Sequence, residues 1–339
     1  MSRMTAEHDR FVAHSLRTSM FFPQSRLFIA GNPKAAGTSM RWWLLNTHGV
    51  DVAARTVGSL WGESAPYQTV WDDSAELEYT WSHLPDGAKT DALTSTDVLT
   101  VKPVRNPLTR AFSAWAGKYL TLEPYYSDRL PPSFDPPPST IESAQHITAL
   151  FDSFISSLVE LAQSSPEWEG IDVHFWPQHR LLARSVAGKD FELKQEDMAS
   201  GIDRVLLQMR EHGINAEPMP RLNENVLPYK PEFISEAARR KLVTLYAPDF
   251  ARFGYPDELP AGSKQELDLP WLNDLRGRNL RYGVIHQVAT RNRDRIGELN
   301  RELADARRRE QELLGSHSWK VTKPLRAVTG RLKRDQRPE

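Results

Sequence analysis

The stretch that most constrains this chain is Leu27-Phe-Ile-Ala-Gly31-Asn-Pro-Lys34-Ala35-Ala36-Gly37-Thr38-Ser39-Met40. An apolar run enters Gly-Asn-Pro, and a lysine, a glycine and two hydroxyls follow before the helix-prone Met40-Arg-Trp-Trp-Leu-Leu. The pattern predicts a buried strand, a tight loop and a helix with Thr38 and Ser39 in its first turn. Such a loop leaves backbone N–H groups unpaired at a helix N-terminus, where they favour an anion. Lys34 adds a point charge, and Gly37 lets the backbone approach a phosphate with no side chain between. The stretch reads as a phosphate cradle, and an ordinary strand-turn-helix with a surface lysine is the competing reading. It is not the loop of nucleoside-triphosphate enzymes, whose lysine directly follows the last glycine. Here the lysine lies three residues before Gly37.

Composition narrows the classes. The chain has 339 residues, enough for one large core with an appendage. It has no cysteine, which excludes disulfides and thiolate chemistry, and its net charge of -1 argues against a general nucleic-acid binder. The charged start Met1-Ser-Arg-Met-Thr-Ala-Glu-His-Asp-Arg leads into no long apolar run, so neither a signal peptide nor a membrane span is expected. A cytoplasmic enzyme is the expectation. Ten tryptophans suit either a sugar-binding cleft or core packing.

Along the chain, residues 1–25 predict a helix and a connector, 40–50 a helix, and 51–95 an irregular region containing Trp81-Ser-His83-Leu-Pro. Val98 to Val104 is β-branched and apolar, hence a strand, and Asn106-Pro107 supplies an N-cap and first turn for the helix after it. Residues 124–139 hold six prolines and predict a surface loop. Helices are expected over about 140–163, 196–212 and 235–246, with a short strand at Phe191 to Lys194. This alternation predicts an α/β fold: a P-loop-like parallel sheet with helices on both faces, and both anion loops beyond the carboxyl ends of strands.

After about residue 258 the character changes. Residues 259–314 predict a helical extension in which Ile296, Leu299, Leu303, Ala306 and Leu313 form an a/d-like seam, a short coiled coil and homo-oligomer contact or a docked helix. Residues 315–339 form a basic tail, with three Lys and four Arg against Asp335 and Glu339. Such a tail suits anionic lipid at the inner face of the membrane or a glycan-assembly partner, and a solvated tail is the alternative.

A second anion signal lies at Arg105, Arg110 and Ser113. With a helix beginning near Pro107, Arg110 and Ser113 share a face, and Arg105 at the strand end joins Ser113 on one anion. Simple ion pairing by the two arginines is the alternative. Pro33-Lys34-Ala-Ala-Gly37-Thr38-Ser39 together with Val104-Arg105-Asn-Pro-Leu-Thr-Arg110-Ala-Phe-Ser113-Ala-Trp resembles the carbohydrate sulfotransferases. The resemblance continues through Ser82-His83-Leu-Pro, Asp172-Val-His174-Phe-Trp-Pro-Gln178 and Tyr246 to Tyr255, covering about 26–256. It implies 3′-phosphoadenosine-5′-phosphosulfate (PAPS) as co-substrate. The resemblance places Lys34, Ala35, Ala36, Gly37, Thr38 and Ser39 on the 5′-phosphosulfate, and Arg105, Arg110 and Ser113 on the 3′-phosphate. Trp115 stands where many members have tyrosine, and the cysteine pairs and membrane anchor of many relatives are missing, which resembles a bacterial-type member.

The chemistry expected is in-line sulfuryl transfer to a carbohydrate hydroxyl of a surface glycan or its precursor. Lys34 meets charge on the leaving oxygen, and no metal is required. His83 is the candidate base, with His174 and His179 as rivals. Asp172 reads as a buttress, and His174 and Trp81 are candidates for contacting the acceptor, with Trp42 and Trp176 weighed against core packing. A nucleotide-dependent kinase and a non-catalytic scaffold of glycan assembly are the competing functions.

Overall fold

A computed structural model describes residues 2–50, 79–121, 134, 138–182, 189–219 and 227–322. The expected irregular segment before Tyr79, most of the proline-rich loop and the basic tail from 323 onward lie outside the described residues.

Four strands form one sheet in the order β1 (Met20–Phe22), β2 (Leu27–Ile29), β3 (Leu99–Val104) and β4 (Lys189–Lys194). The expected strands β2, β3 and β4 run parallel, with Leu27 opposite Leu99 and Val101 opposite Phe191. β1 is antiparallel to β2, with Met20 opposite Ile29, so the sheet is mixed. This corrects the expectation of a helix and a connector alone over 1–25. Met20-Phe-Phe is three residues long and buried throughout, so it has no alternation by which a strand would be recognised.

Side chains of the central strands alternate between two cores, as the pleat requires. Phe21 and Phe28 pack on one face with Phe11 of α1 (Ser2–Arg17), Ala92 of α3 (Asp86–Thr94) and much of α4 (Pro107–Trp115) and α5 (Ala144–Ser164). Met20, Phe22, Leu27 and Ile29 pack on the other, against Met40, Trp43 and Leu44 of α2 (Gly37–Thr47) and Val205 and Met209 of α7 (Met198–Glu211). Helix α4 is buried along its whole length and continues as a π-helical turn, Ala116–Leu120. The short α6 (Gln178–Leu181), α8 (Glu236–Leu245) and α9 (Ala247–Phe253) complete this layer.

Caps fix the helix starts. The Asn106 side chain accepts from the Leu108 N–H, Ser143 from His146 and Ser235 from Ala238. The compact unit runs beyond residue 258, to Leu280, and residues 281–339 form a second unit. The reason lies in the first turns of α10 (Leu269–Gly315). Asn273 exchanges hydrogen bonds with the backbone of Ile141, Arg276 Nε donates to the Leu120 carbonyl (2.8 Å), and Asn279 donates to that of Thr121 (2.7 Å). Beyond that point Ile296, Leu299, Leu303 and Leu313 are exposed, and α11 (His317–Val321) follows. Among the described residues no helix is long and apolar enough to cross a membrane.

Candidate active site

The first loop leaves β2 at Ala30 and is pinned at every step. The Gly31 carbonyl accepts from Ser15 Oγ (2.8 Å), and its N–H donates to Ser19 Oγ (2.9 Å). A Cβ on Gly31 would lie 2.6 Å from the Ser15 carbonyl, so only glycine lets the end of α1 close on the loop. Asn32 Nδ2 donates to the Pro103 carbonyl and to Gln178 Oε1. Lys34 and Ala36 then adopt left-handed backbone, φ 65° and 58°, at a cost of about 1–2 kcal/mol each. That strain delivers the chain to α2 with Ala36 as the N-cap, a residue with no side-chain oxygen to cap the first amides. Arg41, buried in α2 and lowered to about 9 by burial, ties the helix to the Thr18 carbonyl.

The second loop is built at the end of β3. Gln178, fully buried, locks the two loops together: its Oε1 accepts from Asn32 and from the Arg105 N–H (3.0 Å), and its Nε2 donates to the Arg105 carbonyl (2.8 Å). Gln178 is itself held by Asp249, which takes the amides of Gln178 and His179 and the ring nitrogen Nδ1 of His179. The Asn106 N–H donates to Glu196 Oε1 (2.8 Å), whose other oxygen accepts from the Tyr255 hydroxyl (2.9 Å).

Arg105 projects from this frame toward the first loop. Its Nη1 reaches the Lys34 carbonyl (3.3 Å) and its Nε the Thr109 hydroxyl (3.1 Å), and no carboxylate pairs with it among the described residues. Burial lowers it to about 10, against the opposing pull of Glu196. A half-buried guanidinium that no carboxylate among the described residues pairs has the chemistry to bind an anion. Arg110 is different. Only about 1 % exposed, it donates to the carbonyls of Pro33 (3.0 Å) and Trp176 (2.9 Å) and clamps the first loop from beneath.

A third group gathers around the Lys34 ammonium. A Cβ on Gly117 would stand 2.9 Å from Lys34 Nζ, so the π-helical turn presents a bare backbone face to the lysine. The next residue, Lys118, is buried, and with Lys34 it stands close enough to His174 to disfavour its protonation. His174 Nδ1 lies 2.5 Å from Asp172 Oδ1, which also accepts the His174 backbone N–H.

Against known families, the model described as the sulfotransferase family matches residues 18–256. The chain belongs to the sulfotransferase family. No curated protein and no solved structure matches it.

In this sulfotransferase the residues expected at the cofactor fall into three kinds. Lys34, Ala36, Gly37 and Arg105 sit where the two loops meet. Ala35, Ser39, Arg110 and Ser113 lie at the same place but are buried, and the Thr38 side chain lies outside the described residues. His83 belongs to the turn after Thr80, which bridges to Met20 of β1 with Phe21 N–H donating to the Tyr79 carbonyl and Trp81 N–H to that of Ser19. That pairing carries His83 past the same end of the sheet as the loops, exposed and with no hydrogen bond to its ring among the described residues. Trp81 packs edge-on against Phe28, and Trp176 is a core residue whose Nε1 donates to the Ile171 carbonyl. The expectation missed Gln178, Gly117 and Lys118 as parts of the site. Gln178 lies within a quoted motif, but nothing in the sequence says that its amide bridges two loops.

Proposed function

We propose that this sulfotransferase moves a sulfuryl group from PAPS to a hydroxyl of a carbohydrate acceptor, in a bacterial surface glycan or its precursor. The observation that carries the reading is Arg105: a half-buried cation with no carboxylate partner among the described residues, bonded to the backbone of the loop that bears Lys34. The donor set fits PAPS. Backbone amides at the uncapped start of α2 and the Lys34 ammonium suit the phosphosulfate, and the Arg105 fork suits a terminal phosphate. When bound, PAPS supplies an activated sulfuryl group with a phosphate as leaving group. Lys34 meets the charge that develops on the leaving oxygen, and the rigid loops hold donor and acceptor in line. A histidine at this end of the sheet takes the acceptor's proton. The motif resemblance, rather than any contact, supports a carbohydrate as acceptor.

A kinase would need the same two features, but the placement of the lysine before Gly37 disfavours it. A scaffold would need neither Lys34 nor an Arg105 that lacks a carboxylate partner among the described residues. A cytoplasmic location at the membrane's inner face goes with this reading through the basic tail, and vesicle co-sedimentation with and without anionic lipid reads it out. The exposed Ile296, Leu299 and Leu303 suit a homo-oligomer, which light scattering reads out. The decisive test is sulfuryl transfer from labelled PAPS to a panel of oligosaccharides, with labelled ATP alongside. Label from PAPS on a sugar supports the proposal; label from ATP alone supports the kinase.

A further inference from the structure

We propose that His174, oriented by Asp172, is the base that takes the proton of the acceptor hydroxyl. The assignment rests on the sulfotransferase reading above and names the residue that reading leaves open. Two histidines meet the first requirement of lying near the anion loops, and the structure separates them.

His83 is exposed, and although its backbone N–H donates to the Thr80 carbonyl, its ring makes no hydrogen bond among the described residues that would orient it. Asp172 holds His174 at two points. A carboxylate only accepts, so the 2.5 Å contact puts the ring proton on Nδ1, and Nε2 is therefore the acceptor nitrogen. The backbone N–H of His174 binds the same Asp172 oxygen at 2.9 Å, which stops the carboxylate from swinging away. A base oriented by a carboxylate is the arrangement that recurs where a hydroxyl must be deprotonated. The side chain keeps about 15 % of its surface exposed, so it is neither sealed in the core nor loose in solvent.

The neighbours fit the role. Burial first, then Lys118 and Lys34, hold His174 at about 4, while Asp172 pulls the other way. Burial raises Asp172, but His174 and Lys118 outweigh it and keep this carboxyl at about 2, with His14 of α1 the further titratable group beside it. The imidazole is thus neutral at neutral pH. Its basicity is restrained partly by Lys34, the same ammonium that meets the phosphosulfate. An anion on Lys34 lifts that restraint, so His174 becomes a stronger base when the donor is bound. His179 has the same partnership with Asp249 but lacks this setting, and its aspartate is fully buried holding the start of α6.

The step balances as follows. The acceptor oxygen forms a bond to sulfur as its proton moves to His174 Nε2. The bond from sulfur to the bridging oxygen breaks, and its electron pair stays on the 5′-phosphate beside Lys34. The imidazolium then returns its proton to solvent.

The experiment compares His174→Asn, Asp172→Asn and His83→Asn in the full-length chain. It measures binding of 3′-phosphoadenosine-5′-phosphate (PAP), and release of PAP from PAPS with water and with the oligosaccharide panel as acceptors. The expected result is a fall in kcat of about 10²–10⁴-fold for His174→Asn with PAP affinity kept within threefold, and loss of the acid limb of the pH–rate profile. Asp172→Asn, which permits the wrong tautomer, lowers kcat with unchanged PAP binding, and the loss in His83→Asn is at least tenfold smaller than in His174→Asn. A kcat within threefold of wild type in His174→Asn overturns the assignment. So does loss of PAP binding in both His174→Asn and Asp172→Asn, which would make the pair structural. A wild type that binds PAP and releases none from PAPS overturns the proposed function, and this assignment with it.

Discussion

Arg105 and Arg110 stand five residues apart, belong to one motif and carry the same charge, yet they do opposite work. Arg110 faces inward from the first turns of α4, and its guanidinium satisfies the carbonyls of Pro33 and Trp176. Arg105 leaves the end of β3 half-exposed, touching one carbonyl and one hydroxyl. Both are lowered by burial, but Arg110 spends Nε and Nη1 on fixed backbone carbonyls, and its buried Nη2 has no hydrogen-bond partner among the described residues. The difference teaches that a guanidinium anchored through Nε and Nη1 to buried backbone carbonyls acts as a brace, whereas one left half-exposed at a strand end keeps its fork for a ligand.

The largest expected effect tests the loop that both arginines serve. Lys34→Ala should lower sulfuryl transfer by about 10²–10³-fold, measured as kcat with PAPS, because the leaving oxygen loses its cation. Next comes the brace: Arg110→Met should cost about 3 kcal/mol of stability by leaving buried carbonyls unpaired, seen in denaturant unfolding. Arg105→Met should show the reverse. Its thermal midpoint should stay within about 2 °C of wild type, while PAP affinity falls about 10–100-fold, the worth of a charge-assisted fork. If Arg105→Met unfolds the protein and Arg110→Met spares it, the contrast is wrong.

Acid sharpens the contrast by separating stability from binding. Burial pushes His174 and His14 to about 4, below the ordinary value of 6.5. In this window the unfolded chain binds protons that the folded chain refuses. Stability is therefore full above 6.5 and falls as pH drops from 6.5 toward 4, by roughly 2 kcal/mol for His174 by pH 5. A thermal midpoint that holds steady between pH 7 and pH 5 would contradict the buried, neutral histidines. The smallest effect belongs to Gly117→Ala. The added methyl meets only the flexible end of Lys34, so the fold should hold, with kcat lowered about tenfold as the ammonium moves.

Much of this frame is legible in the sequence because it rests on local chemistry. Gly31-Asn-Pro-Lys34, the Asn106 cap and Pro107 announce a loop and a helix start by residue type alone. The strands β2, β3 and β4 show as apolar runs. β1 escaped because three buried residues have no period, and its role as the antiparallel edge is set by pairing with distant residues. Gln178 and Gly117 escaped for a related reason: each acts through a neighbour far along the chain, on Asn32 and Lys34 respectively. The division of labour between Arg105 and Arg110 is likewise a matter of which carbonyls the fold brings within reach. Spacing puts both near an anion and says nothing of burial.

The central claim is that Lys34 and Arg105 form one cradle for the nucleotide's phosphates. The most direct measurement is calorimetric titration of PAP into wild type, Lys34→Met and Arg105→Met, with ATP titrated in parallel. The account predicts saturable PAP binding to wild type, weakened at least tenfold by each substitution, with ATP bound far less well. Binding of PAP that neither substitution weakens, or preference for ATP, would contradict it.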